Sequence, residues 1–145
     1  MKLMKLIKIF FIFLTGCQTS GYFITDSPLQ VPEIRKAATA IIGKPKIVSL
    51  NGRELISEYH DDKLLPLNEL SKNKDRYQTK VVILGARRPY DINILVSLEQ
   101  FENQTSAYVV RGIDENLSRQ RAVLIKKALN LSLDKKSGFD GDKPF

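Results

Sequence analysis

Few residues in this chain could carry covalent or metal chemistry, because it holds one cysteine, Cys17, and one histidine, His60. His60 lies in the string EYHDD, so His60, Asp61 and Asp62 could be taken for a metal cluster. Zinc and most catalytic metals draw on further His or Cys ligands, and the plainer reading of EYHDD is a solvated strand end. Asp140-Gly141-Asp142 lacks the additional oxygen ligands of a calcium loop and reads as tail. There is no Gly-rich phosphate loop and no GxSxG elbow. Arg87-Arg88 offers two adjacent guanidinium forks that could grip a phosphate or carboxylate, for example on lipid A, or could simply keep a turn soluble. Asp114 and Arg121 stand seven residues apart in a segment of helical periodicity. This inventory points to binding rather than catalysis, with no metal or cofactor implied.

The flanks of Cys17 explain its presence. Lys2, Lys5 and Lys8 form a positive leader, and Ile9 to Leu14 is uninterrupted apolar chain. That order is the order of a secretory signal, and the apolar run falls short of the ~20 residues a spanning helix needs. Leu14-Thr15-Gly16-Cys17 resembles the bacterial lipoprotein signal, the lipobox: leucine, two small residues, then cysteine. The resemblance implies a diacylglycerol on the Cys17 thiol, cleavage between Gly16 and Cys17, and often acylation of the new amine. Each buried lipid CH2 contributes about 0.8 kcal/mol, so two or three chains hold where one binds only marginally. The alternatives are an ordinary signal peptide that happens to carry a cysteine, or a short membrane-buried N-terminus. Gln18, not aspartate, follows Cys17, and in enteric-type sorting this implies the outer membrane, with the domain facing the periplasm. The expected partners are membrane lipid through acylated Cys17 and an envelope protein, with peptidoglycan or lipopolysaccharide as further candidates.

The formal charge of +7 includes the three leader lysines. What remains is mildly basic. Tryptophan is absent, and the basic residues are not interleaved with aromatics as a base-stacking surface requires. Nucleic acid is not an expected partner.

The elements that would position these residues follow from periodicity and punctuation. Residues 17–30 read as a lipidated, turn-rich tether. VPEIRKAATAIIG predicts a three-turn helix, with Pro32 near its start and Gly43 and Pro45 as the stop. Asn51-Gly52 between PKIVSL and RELISEYH is a type I′ hairpin signal, although Leu55, Ile56 and Tyr59 would also suit a helix face. Leu64, Leu65 and Leu67 could pin the polar connection 61–75 to the core. Strands follow on either side of 85–89, and Tyr90, Ile92, Ile94, Val96 and Leu98 alternate with polar residues. Glu99 to Ser106 reads as a loop, Ala107 to Ile113 as a strand, and 114–133 as a helix whose acids lead and whose Lys126-Lys127 come late. The expectation is an α+β domain over 31–133: an N-terminal helix, four to five mostly antiparallel strands, and a C-terminal helix packed on one sheet face. Residues 1–16 would be the signal and 134–145 a flexible tail. The element order resembles several outer-membrane assembly lipoproteins, including the one that plugs the lipopolysaccharide translocon.

On a helical wheel, Leu124, Ile125, Ala128 and Leu131 share an arc with Arg121, while Arg119 and Lys126 lie opposite. A charge on a buried face needs a partner or a route to water. NLSRQRAVLIKKAL, from Asn116, resembles part of the peptidoglycan-binding signature of OmpA-like domains at Leu117-Ser118, Arg121-Ala122, Ile125 and Leu129. The resemblance implies that Arg121, with an upstream aspartate for which Asp114 is the candidate, holds the diaminopimelate of the cell-wall peptide. The competing reading makes Arg121 a snorkelling or salt-bridged residue at the core margin. A non-enzymatic outer-membrane lipoprotein with an assembly or accessory role is the leading expectation, followed by peptidoglycan attachment and, distantly, a periplasmic hydrolase.

Overall fold

The computed structural model describes residues 20–67 and 74–139, so Cys17 and Asp140 to Asp142 lie outside the described residues. The elements in chain order are β1 (Tyr22–Ser27), α1 (Val31–Ile42), β2 (Ile47–Val48), β3 (Glu54–His60), β4 (Arg76–Leu84), β5 (Tyr90–Glu102), β6 (Ala107–Ile113) and α2 (Glu115–Phe139). The six strands form one antiparallel sheet in the order β1-β5-β4-β3-β2, with β6 also paired to β5. The class is α+β, as the element order implied.

Both helices cover one sheet face, and the period-two pattern decides which. Val81 and Ile83 of β4, Ile92, Ile94 and Val96 of β5, and Leu55 of β3 are buried beneath them. Against these pack Ile34, Ala37, Ala38 and Ile42 of α1 and Leu117, Ala122, Ile125 and Leu129 of α2. The small residues Ala37 and Ala38 let α1 approach closely. The Glu33 carboxylate accepts the Gln30 N–H at 2.8 Å at the start of α1, and the Gly43 N–H closes its end on the Thr39 carbonyl.

Four features differ from the sequence reading. The stretch read as tether contains β1, because Tyr22, Phe23 and Ile24 are strong strand formers and β5 offers them an open edge along Ile92 to Ile94. Ile24 and the following Leu29 are buried, so the domain begins before residue 31. The turn at Asn51-Gly52 is not type I′: Gly52 alone takes a positive φ, 68°, after a Ser49–Gly52 turn closed by a 2.8 Å backbone hydrogen bond. β5 continues through Glu99 to Glu102 instead of becoming a loop, since β6 pairs with it residue by residue there. α2 runs to Phe139, past the expected boundary at 133. The leucine expectation also needs correcting. Leu65 is exposed, while Leu64 and Leu67 are only half-buried.

The opposite sheet face carries a ladder of stacked groups. The Arg76 guanidinium lies 3.7 Å from the Tyr59 ring centre and 3.6 Å from that of Tyr108, and its Nε donates to Glu99 Oε2 at 2.7 Å. This clamp joins β3, β4, β5 and β6 through one guanidinium. No helix among the described residues is long and apolar enough to cross a membrane.

Ile94 is fully buried at the centre of β5. Ile94→Asp is expected to bury an unpaired charge and to destabilise the domain by several kcal/mol, read as loss of the cooperative melting transition or a large fall in Tm. An unchanged melting curve would contradict this packing.

Candidate functional site

Four of the buried polar residues are linked by hydrogen bonds: Ser57, His60, Thr79 and Arg121, with Arg121 only 4% and His60 only 3% exposed. Arg121 reaches inward because its position on α2 lies between the core residues Leu117, Ala122 and Ile125. Its Nε donates to Thr79 Oγ1 at 3.3 Å, and a terminal nitrogen donates to the Ile41 carbonyl of the last turn of α1 at 3.1 Å. A cation at a helix C-terminus complements the macrodipole and satisfies an otherwise orphaned carbonyl. Among the described residues Arg121 forms no salt bridge.

His60 completes the chain of hydrogen bonds. Its Nδ1 lies 2.9 Å from the Asp61 carbonyl oxygen and its Nε2 2.9 Å from Thr79 Oγ1. A carbonyl can only accept, so the network assigns the proton of the neutral ring to Nδ1, which donates to Asp61. Thr79 then donates to Nε2 and accepts from Arg121. One direction satisfies every member. Burial holds the His60 pKa below its ordinary value; the Asp61 carbonyl opposes this and the Arg121 charge adds to it. The Tyr77 ring stacks on His60 at 6.1 Å between centroids, and burial raises its phenol pKa, with Asp114 next in effect. A pocket of about 250 Å³ opens above the cluster, bounded by the end of α1, Glu58, Leu64, Pro66 and Arg121.

Asp114 belongs to a different network. Its Oδ1 accepts the Leu117 N–H at 2.9 Å, which makes it the N-cap of α2. Its backbone N–H donates to the Val96 carbonyl at 2.8 Å, while the Val96 N–H donates to Ser118 Oγ at 2.9 Å. These bonds fill the gap on the edge of β5 between the last β1 pairing at Ile94 and the first β6 pairing at Ser97. Asp114 and Arg121 therefore have separate partners and form no ion pair, and the pocket beside Arg121 is not lined by Asp114. Every position matched to the OmpA-like signature has a local structural role: Leu117, Ala122, Ile125 and Leu129 pack, Ser118 stitches and Arg121 bridges. Leu124 and Leu131, expected on the buried arc, are 42% and 54% exposed, because the true face centres on Arg121 and Ile125.

Arg87 and Arg88 are exposed in the β4–β5 connection, away from this cluster. His60 was expected at a solvated strand end. It is buried because the chain folds back over it, with the Asp61 N–H bonded to the Leu65 carbonyl and a bridge between His60 and Pro66. No group of three or more His, Cys, Asp or Glu among the described residues could hold a metal ion. Thr79 and Ser57 carried no motif. A polar residue at a position that alternation assigns to the buried face, as Thr79 is before Val81 and Ile83, was the available signal. The chain matches no protein-family model and no curated protein.

Two outcomes follow from the relay. Arg121→Ala removes the side-chain donor to the Ile41 carbonyl and one of the two bonds of the Thr79 hydroxyl, which keeps its bond to His60, and leaves a void, so the domain should lose about 2–4 kcal/mol, measured by denaturant unfolding. A depressed His60 pKa means that the unfolded chain binds more protons. Stability from His60 is therefore complete above its ordinary value of 6.5 and declines as pH falls from there towards the folded pKa. His60→Gln should flatten that part of the stability profile, and a wild-type profile already flat there would contradict a buried neutral imidazole.

Proposed function

We propose that the protein is a lipid-anchored envelope protein: a non-enzymatic outer-membrane lipoprotein whose α+β domain faces the periplasm and serves assembly or accessory binding. The observation that carries this reading is the ordered N-terminus, with Lys2, Lys5 and Lys8, then Ile9 to Leu14, then Thr15-Gly16-Cys17. The structure adds support of a different kind. A folded element begins at Tyr22, immediately after the segment that such a signal would leave, so anchor and domain are arranged in one short succession. The concentration of His60 and Arg121 in hydrogen bonds that hold layers together favours a binding scaffold over a hydrolase.

Peptidoglycan attachment through Asp114 and Arg121 is the weaker reading, since the carboxylate caps α2 and the guanidinium bridges α1 to β4. Lipopolysaccharide or another phosphorylated envelope component would find exposed guanidinium groups at Arg87 and Arg88. Cells expressing the chain should incorporate labelled palmitate, and Cys17→Ser should abolish both the label and membrane retention. A serine variant that still pellets with membranes, beside an unlabelled wild type, would refute the anchor. Affinity purification from detergent-solubilised envelopes with a C-terminal tag should recover a stoichiometric envelope protein.

A further inference from the structure

The distance between anchor and domain limits where the domain can sit. Four residues, Gln18 to Gly21, separate Cys17 from the first strand. At 3.3–3.6 Å per residue they reach at most about 14 Å. Gly21 is itself fixed: its N–H donates to Glu115 Oε1 at 3.1 Å, which places the root of the anchor beside the first turn of α2. The helix extends from there through 25 residues, or about 37 Å.

The face that α2 turns away from the sheet suits a lipid surface. Arg119, Val123, Lys126, Lys127 and Asn130 are exposed together, with Val123 59% exposed. Leu124 and Leu131 border this stripe and are also exposed. The acids of α2 are Glu115, already bonded to Gly21, and Asp134. A basic face with accessible apolar side chains is complementary to anionic headgroups. We infer that, once Cys17 is acylated, the outer face of α2 lies on the anionic phospholipid surface, with Arg119, Lys126 and Lys127 against the headgroups. This inference rests on the lipoprotein reading. It leaves the opposite sheet face, with Tyr59, Arg76 and Tyr108, turned towards the periplasm for a protein partner.

The test uses the full chain, purified from cells fed labelled palmitate and placed in vesicles of phosphatidylethanolamine and phosphatidylglycerol. One spin label replaces Asn130 (Asn130→Cys) on α2, and a second, in a separate sample, replaces Lys80 (Lys80→Cys) on the other sheet face. The Asn130 label should be shielded at least several-fold from a water-soluble nickel relaxant relative to the Lys80 label. High salt, or the combined charge reversals Arg119→Glu, Lys126→Glu and Lys127→Glu, should remove that shielding while the chain stays bound through its lipid. Equal exposure of the two labels on a palmitate-labelled, vesicle-bound chain overturns the docking of α2 and leaves the anchor intact. Shielding that survives charge reversal overturns the headgroup contact. A chain that takes up no palmitate overturns the anchor and this inference together.

Discussion

The buried guanidinium of Arg121 sets the constraint around which this domain is assembled. Arg121 enters the interior from α2 with no carboxylate partner among the described residues, so its charge is met by dipoles and a route to the pocket. Those dipoles come from three elements. The Ile41 carbonyl requires α1 to end where it does, Thr79 requires β4 to present a hydroxyl on its helix-facing side, and His60 requires β3 to end beneath the 61–66 loop. Moving any one of them by a residue would leave a buried group unmatched, at a cost comparable to a sizeable part of a small domain's net stability. The relay thus specifies the relative placement of helices and sheet, beyond what apolar packing alone would fix.

β5 has the corresponding role in the sheet. β4 pairs along one edge, and the other edge is shared by β1 and β6, with Val96 between them bonded to Ser118 and Asp114 at the head of α2. The strand therefore has partners along nearly its whole length. Its residues Ile92, Ile94 and Val96 carry the core on one face, and Glu99 anchors the Arg76 clamp on the other. The N-terminal strand is tied into the same place, which brings Gly21 to the first turn of α2.

Periodicity made part of this legible in the sequence. The alternation from Tyr90 to Leu98, the apolar spacing and Gly43 stop of α1, and the strand Ala107–Ile113 each repeat one local rule over enough residues to dominate. Arg121 could be placed on a buried face by the helical wheel alone. What could not be read depended on tertiary partners. Tyr22 to Ser27 become a strand only because β5 leaves an edge for them, and Glu99 to Glu102 stay extended only because β6 returns alongside. His60 looked solvated because its neighbours are polar, yet the 61–66 segment folds over it. The LSxxRA string resembles a ligand-site signature, and in this fold the same residues also satisfy a sheet gap, a helix end and a core. A motif of helix-compatible residues cannot distinguish those uses without the strand that the helix crosses.

The central functional claim is the covalent anchor a few residues before β1. Its most direct measurement is the intact mass of the chain extracted from cell membranes. The expected species begins at Cys17 and carries the added mass of a diacylglycerol, with or without a further acyl chain on the amine. A chain that retains residues 1–16, or begins elsewhere with an unmodified Cys17, would contradict it.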